Sequence, residues 1–386
     1  MRRIAAAILA CLPLAGPVGA AEPYTILPGF DDVPAKGPDA ALGLVIWNHG
    51  VSGNREQGMS PPPAFLRRLA AAGWDIVRIK RDALQESNWT TGGLRHVART
   101  IEEAESARAK GYKRIVLAGQ SYGGAITLEA ARRTSVYAII PSAPGTGVAL
   151  NQIGSAAQDS QGTRQLYESL AEGKFERAVP ILPFADEFAL SDPDRGKRAR
   201  EILTGRAIAF LPMDDAGSQL AGHGASSSAL MDFAYGACVA AFLDPDRKVK
   251  PGAAACGRDG LPRADDVLPE TAGLKPMKME AGTWWHPYEG IWIGAWSNPI
   301  LVSVTIERGA DGKPEFVYLW GQEKRAKLRT TYRAPATLDG NLVRAKLPTQ
   351  DITLSFEMKT RQVVLRWKNA DGRTGSTLLR RYEPPA

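Results

Sequence analysis

Residues 114–133 read RIVLAGQSYGGAITLEAARR, and in this stretch an apolar run passes into a helical pattern through a glycine-rich turn. The apolar run predicts a buried strand, and the apolar spacing after the turn predicts a helix. Ser121 stands at the turn, with Gly119 two residues before it and Gly123 two residues after it. A serine on such a turn is held clear of the fold, and the glycines let strand and helix cross closely. We interpret Ser121 as a candidate nucleophile.

The flanking sequence predicts the sheet on which this turn would stand. From about residue 40 to residue 245, short apolar runs alternate with stretches of helical periodicity. Apolar strands that alternate with helices are typical of a parallel sheet covered on both faces, so we expect an α/β fold. The apolar runs are LGLVIWNHG, WDIVRIKRD, RIVLAG, VYAIIPSAPG, AVPILPFAD and RAIAFLPM.

Four motifs in residues 42–245 give this region a resemblance to a known superfamily. NHGVSGN, GQSYGG, ADEF and GHGA occur in the order found in α/β-hydrolases, and the region is similar in style to dienelactone-hydrolase-like esterases and related peptidases. The resemblance implies an α/β-hydrolase fold and a Ser–Asp–His triad. It also implies that the backbone N–H groups of Val51 and Tyr122 form an oxyanion hole.

The general base of such a triad must be a histidine, because its pKa suits proton transfer near neutrality. The chain has four histidines. His49 falls in the loop that the superfamily uses for the oxyanion hole, His96 on an amphipathic helix, and His286 in the C-terminal region. His223 lies between two glycines, after the last strand and before the last helix of the α/β pattern. The superfamily places its base there, so we expect His223 to be the base.

The acid of the triad has several candidates. Asp186 follows the strand AVPILPFA, where the superfamily carries its acid, and it keeps the order Ser, Asp, His. Asp214 and Asp215 end the next strand and are the alternatives, and Glu187 is a minor candidate. Topological position favours Asp186.

The first twenty residues have the pattern of a signal peptide. Arg2 and Arg3 precede the apolar segment IAAAILACLPLAG, and Val18-Gly19-Ala20 supplies a small-residue cleavage site before Ala21. The apolar segment is too short to span a bilayer. We therefore expect export to the periplasm or the medium.

The two cysteines that follow the signal segment are Cys238 and Cys256. An even number of cysteines in an oxidising compartment favours a disulfide, and we expect these two to be paired. No histidine pair accompanies them, so their pattern does not suggest a zinc site.

The C-terminal part of the chain has a different pattern. Residues 281–386 contain eight short alternating runs separated by turn signals, which predict a small antiparallel β-barrel or sandwich. This part carries 16 Lys and Arg against 10 Asp and Glu, a net charge of +6, whereas residues 21–280 carry 30 against 31. The runs are GIWIGAW, ILVSVTIER, FVYLWGQ, TYRAPATL, NLVRAKL, ITLSFEM, QVVLRWK and GSTLLRRY.

The β domain is rich in tryptophan, and two roles are open for these rings. Alternation in GIWIGAW places Trp292 and Trp296 on one face and Ile291 and Ile293 on the other. The rings could fill a barrel core or seal it against the hydrolase region. Alternatively, exposed rings and surplus Lys and Arg could bind a polymer or an anionic surface.

The sequence thus predicts a signal peptide at 1–20, a catalytic α/β domain at 21–245, a linker at 246–280 and the β domain at 281–386. The predicted activity is that of an exported serine hydrolase cleaving a small-molecule or polymer ester through an acyl-enzyme on Ser121. A serine peptidase of the prolyl-oligopeptidase-like type and a non-catalytic binding protein on the same scaffold are the alternatives. We expect no cofactor, no metal, no nucleic-acid partner and no stable membrane insertion.

Overall fold

The computed structural model describes residues 24–50, 62–81, 92–145, 156–184, 186, 192, 194–214, 218, 220, 222–228, 231–262, 273–295, 301–321, 330–358 and 362–382. The expected signal peptide lies outside these residues, as do Val51, Asp215, Glu187 and Trp296.

The N-terminal region, from β1 to β10, is a mostly parallel sheet with helices. The strand order is β1-β3-β2-β4-β5-β6-β8-β10. In addition, β7 pairs with the carboxyl end of β5, and β9 pairs with β7. The first strand pairs antiparallel with β3, and the other pairs of this sheet run parallel. The strands are β1 (Thr25–Pro28), β2 (Leu44–Asn48), β3 (Asp75–Lys80), β4 (Ile115–Gln120), β5 (Val136–Ser142), β6 (Phe175–Ala178), β7 (Ile181–Leu182), β8 (Ala209–Phe210), β9 (Met213–Asp214) and β10 (Gly252–Ala253).

Helices cover both faces of this sheet, because its strands are apolar on both sides. Val45 and Trp47 of β2 belong to one apolar cluster, whereas Leu44 and Ile46 belong to the other. The first cluster lies under α1 and α6, and the second lies under α2 to α5. These layers and the strand order are those of the α/β-hydrolase fold, which confirms the predicted fold class. The helices are α1 (Phe65–Ala72), α2 (Leu94–Ala109), α3 (Tyr122–Arg133), α4 (Ala156–Glu172), α5 (Arg195–Gly205) and α6 (Gly236–Leu243).

Part of the expected linker at 246–280 belongs to the sheet. Gly252 donates its N–H to the carbonyl of Ile208 at 2.9 Å, and β10 lies parallel to β8 at the sheet edge. A disulfide joins Cys256, just after this strand, to Cys238 on α6, with Cα atoms 5.7 Å apart. A strand of two residues is too short to show the alternation by which strands are predicted, which explains why the sequence pattern indicated a connection.

The C-terminal region, residues 291–381, is a closed eight-stranded antiparallel barrel. Each strand pairs with the next along the chain, and β11 pairs with β18 to close it. Each of the eight runs identified in the sequence forms one strand. Because the sheet closes on itself, the domain is a barrel and not a sandwich, the two forms that the sequence left open. The strands are β11 (Ile291–Ala295), β12 (Leu301–Arg308), β13 (Pro314–Gly321), β14 (Thr330–Asp339), β15 (Leu342–Lys346), β16 (Gln350–Glu357), β17 (Gln362–Asn369) and β18 (Thr374–Arg381).

The first barrel strand contributes to two apolar cores. Trp292 lies in the barrel core, and its indole N–H donates to the carbonyl of Tyr288 at 3.1 Å. Ile293 points to the opposite face and is part of the apolar cluster under α1 and α6, where Ile291 and Tyr382 also pack. The barrel and the α/β region therefore share a core along this strand. Among the described helices, none is long and apolar enough to cross a membrane.

We predict that Ile293→Ala lowers the free energy of unfolding by about 2–5 kcal/mol, the usual cost of truncating a buried isoleucine. Met358→Ala, at a side chain that is 78% exposed, is the control and should change it by less than about 0.5 kcal/mol. Urea unfolding of the two variants measures both effects. Equal, small losses would show that the shared core contributes nothing.

Candidate active site

Ser121 has a strained backbone at the junction of β4 and α3. Its φ is 56° and its ψ is −121°, a combination that side-chain-bearing residues rarely adopt. Three hydrogen bonds fix it: its N–H donates to Ser142 at 2.9 Å, and its carbonyl accepts from Ala125 at 3.0 Å and Gly145 at 3.1 Å. Such strain costs about 1–3 kcal/mol, and it persists only where the surroundings enforce it, typically at functional sites.

The glycines flanking Ser121 are required by close backbone contacts. A Cβ at Gly119 would lie 2.2 Å from the carbonyl oxygen of Gly123. A Cβ at Gly123 would lie 2.0 Å from the carbonyl oxygen of Asn48 and 2.4 Å from that of His49. Even alanine would collide at these positions. The first turn of α3 is therefore packed directly on the end of β2.

His223 is paired with Asp186 at the same edge of the sheet. The Nδ1 atom of His223 lies 2.9 Å from Oδ1 of Asp186, whose side chain is 2% exposed. Backbone bonds bring the two segments together, because Phe184 donates to Leu220 and Gly222 donates to Phe184. An ionised carboxylate can only accept, so Nδ1 of His223 carries a proton, and in the neutral imidazole Nε2 has the lone pair. This is the tautomer that a general base requires.

The Asp186 carboxylate has a second cationic neighbour. Its Oδ2 atom accepts a hydrogen bond from Nη2 of Arg195 at 2.8 Å. Burial by itself raises the pKa of Asp186, but the charges of Arg195 and His223 and their hydrogen bonds outweigh it. The pKa of Asp186 is therefore held well below its usual value, and the group is an anion throughout the neutral range.

Gln120 joins the serine turn to the histidine loop. Its side-chain amide donates to the carbonyl of His223 at 3.2 Å. A Cβ at Gly50 would lie 2.5 Å from the Gln120 amide oxygen and 3.4 Å from Cβ of Ser121. Ser121, the His223 loop and Gly50 thus meet beside one side chain, at the carboxyl ends of the strands where α/β sheets bind ligands.

Asp214, which the sequence left open as the acid, has a different partner. Its two carboxylate oxygens each lie 2.5 Å from a nitrogen of Arg200, in a bidentate pair. In the structure, Asp214 therefore pairs with Arg200 of α5, whereas Asp186 pairs with His223. Asp215 and Glu187, which were also candidates for the acid, lie outside the described residues.

The buried side chain of Arg81 anchors the start of the loop after β2. Nδ1 of His49 lies 2.7 Å from the carbonyl oxygen of Gly50 and 3.1 Å from Nη2 of Arg81. The buried Arg81 donates to the carbonyls of His49 at 2.7 Å and Gly50 at 3.0 Å. Gly50 precedes Val51, the first expected oxyanion donor, which lies outside the described residues. Tyr122, the second, is buried as the first residue of α3.

The remaining histidines do not have the setting of a base. Burial, and then the charge of Arg81, hold the pKa of His49 well below its ordinary value. Burial and the charges of Arg81 and Arg95 lower the pKa of His96 to about 3, and Tyr24 lies 2.7 Å from its Nδ1. His286 is exposed and lies just before the barrel.

Three residues of this site were not predicted from the sequence. Gln120 lies inside the serine motif, but nothing in the sequence indicates that its side-chain amide bonds the His223 loop. Arg81 and Arg195 each lie among other basic residues, and only their burial sets them apart. Within the described residues, no group of three or more His, Cys, Asp or Glu side chains could hold a metal ion.

No protein-family model and no curated protein matches this sequence. Solved structures that are similar to this one include an arylesterase. It is 14% identical over 53% of this chain and 75% of that one, with a TM-score of 0.39. An esterase from Pyrococcus furiosus is 12% identical over 57% of this chain and 90% of that one, with a TM-score of 0.38. A puromycin-hydrolyzing peptidase from Mycobacterium tuberculosis is 16% identical over 59% of this chain and 39% of that one, with a TM-score of 0.41. Identities this low carry no information on activity.

The buried neutral histidines predict a loss of stability on acidification. His96 takes up a proton near its ordinary pKa of 6.5 when unfolded but only near pH 3 when folded. The unfolded state binds more protons between these values, so stability falls as the pH falls through that window. We expect the melting temperature to drop less between pH 7.5 and pH 5 in His96→Phe than in wild type. The exposed His286→Phe is the control, and an unchanged drop in His96→Phe would contradict the prediction.

Proposed function

We propose that this chain is an exported serine hydrolase that cleaves an ester bond through an acyl-enzyme on Ser121. One observation carries the proposal: Ser121 is held in a strained turn, and at the same sheet edge a histidine is hydrogen-bonded to a buried, ionised Asp186. Backbone strain of this kind clusters at functional sites, which favours a nucleophile over an incidental turn serine.

The chemistry follows from these positions. Nε2 of His223 takes the Ser121 hydroxyl proton as the oxygen attacks the ester carbonyl, and the backbone N–H groups of Val51 and Tyr122 stabilise the oxyanion. His223 then gives its proton to the departing alcohol, leaving the acyl group on Ser121. Water, activated by the same nitrogen, attacks the acyl-enzyme and releases the acid. Asp186 keeps the imidazole in the required tautomer and stabilises the imidazolium.

An ester with a readily accessible carbonyl suits the architecture. The segment between β5 and β6 is the usual place for a cap in this fold, and its described helix α4 packs on the sheet beside α3 and α5. Leu166 and Leu170 of α4 are buried in the cluster there. The described part of this segment is thus used for the core and does not form a cap. Export is proposed from the first twenty residues, and the Cys238–Cys256 disulfide is consistent with an oxidising compartment.

We expect a fluorophosphonate probe to label the wild-type protein and Ser121→Ala to remain unlabelled and inactive on aryl esters, because the activated hydroxyl is gone. Ser376→Ala, which replaces an exposed barrel serine, should be labelled at Ser121 and fully active. Intact-protein mass and ester turnover, with peptide amides in parallel, measure this. Wild-type protein that neither reacts with the probe nor hydrolyses any ester would favour a binding protein. Faster cleavage of peptides than of esters would favour a peptidase.

Exchanging a carboxylate for an amide tests the acid. Asp186→Asn should lower kcat by about 10⁴-fold, because an amide no longer holds the required histidine tautomer. Asp214→Asn should lower the melting temperature through its lost Arg200 pair while leaving kcat of the folded protein close to wild type. Kinetics and thermal unfolding of both variants decide the assignment. An active Asp186→Asn beside an inactive Asp214→Asn would reverse it.

A further inference from the structure

We propose that Arg195 is a positioning residue of the site, which holds the Asp186 carboxylate with one oxygen turned towards His223. The inference rests on the proposed function, since it concerns the acid of the proposed triad. The guanidinium of Arg195 bonds the carboxylate oxygen that faces away from the histidine, so it acts through Asp186.

The geometry of a single nitrogen carries this inference. Nη2 of Arg195 lies 2.8 Å from Oδ2 of Asp186 and 3.0 Å from the carbonyl oxygen of Pro183. Pro183 directly follows β7, and Arg195 is the first residue of α5. One guanidinium group thus ties the end of the strand, the carboxylate and the start of the helix together. Rotation of the carboxylate would break its bond to Arg195 and its bond to His223 at once.

The charge of Arg195 has a second consequence. The Asp186 and Arg195 side chains are 2% and 8% exposed, so their interaction is little screened by water. Among the described residues, the charges that lower the pKa of the Asp186 carboxylate are those of Arg195 from α5 and His223 from the glycine loop. Removing the arginine therefore takes away the larger of these two charge effects, and burial then raises the pKa of Asp186.

The same helix provides a matched comparison. Arg200 pairs with Asp214 as Arg195 pairs with Asp186, and both carboxylates are buried. Each aspartate follows or ends one of two adjacent short strands, β7 and β9. The histidine contact distinguishes the two pairs: His223 bonds Asp186, whereas both oxygens of Asp214 bond Arg200. A purely structural role would make the two arginines equivalent.

The test compares Arg195→Met, Arg195→Lys and Arg200→Met as full-length proteins on a soluble aryl ester. For Arg195→Met we expect kcat per folded molecule to fall about 10–100-fold, the usual effect of removing a group that orients a functional side chain, with KM nearly unchanged. The acid-side fall in activity should begin at a higher pH, because loss of a buried positive charge makes it easier to add a proton to the coupled Asp186–His223 pair. Arg195→Lys keeps the charge and should restore most of both effects. Arg200→Met should keep the wild-type kcat and pH profile.

Two results would overturn the inference. One is an Arg195→Met protein with wild-type kcat and pH profile, and the other is an equal loss in the Arg195 and Arg200 variants. If Arg195→Met does not fold, Arg195→Gln replaces it, since its amide is uncharged and should show the same pH shift. Failure of the proposed function gives a different outcome, in which wild-type protein is not labelled by the fluorophosphonate probe. A labelled, active wild type with an unaffected Arg195 variant contradicts only the positioning role.

Discussion

The site depends on one close contact, in which the first turn of α3 lies against the end of β2. At Gly123 the two backbones approach so closely that a single methyl group would lie 2.0 Å from the carbonyl oxygen of Asn48. This contact forces the chain to turn sharply after β4, and Ser121 is at the apex with a positive φ. It also places the His49–Gly50 loop beside the serine. The strained serine and the expected oxyanion loop are thus consequences of the same packing.

Buried charge organises the rest of the site. Arg81 holds the carbonyls of His49 and Gly50, and Arg195 holds the Asp186 carboxylate. In both cases a guanidinium group fixes an oxygen on a loop at the carboxyl edge of the sheet. Removing either acceptor would leave a buried guanidinium group without a partner, which is costly. These two arginines therefore help to hold the site loops in place.

The fold could be predicted from the sequence wherever a pattern was long enough. The eight barrel strands were recognised because each has several alternating residues, and β2, β4 and β5 because each is a continuous apolar run. By contrast, β10 has two residues and β1 has four, and neither shows a period. The serine turn was recognisable from its glycines, whose spacing reflects a steric requirement of the backbone.

Only those residues of the site that belong to recognisable motifs could be predicted from the sequence. Sequence order favoured Asp186 over Asp214, but no pattern revealed that an arginine bonds each of them. Arg195 and Arg200 both belong to a strongly basic helix, in which burial and partners distinguish residues of the same type. Long-range pairing of this kind depends on where the helix docks on the sheet, and that information is spread over the whole chain.

If Ser121 is the nucleophile, it becomes acylated during turnover. The direct measurement is rapid acid quenching of the wild-type protein with an activated ester, followed by proteolysis and mass spectrometry of the peptide containing Ser121. We predict that this peptide carries the mass of the acyl group and loses it as the acyl-enzyme is hydrolysed. Continued ester turnover with the acyl group on a residue other than Ser121 would contradict the assignment.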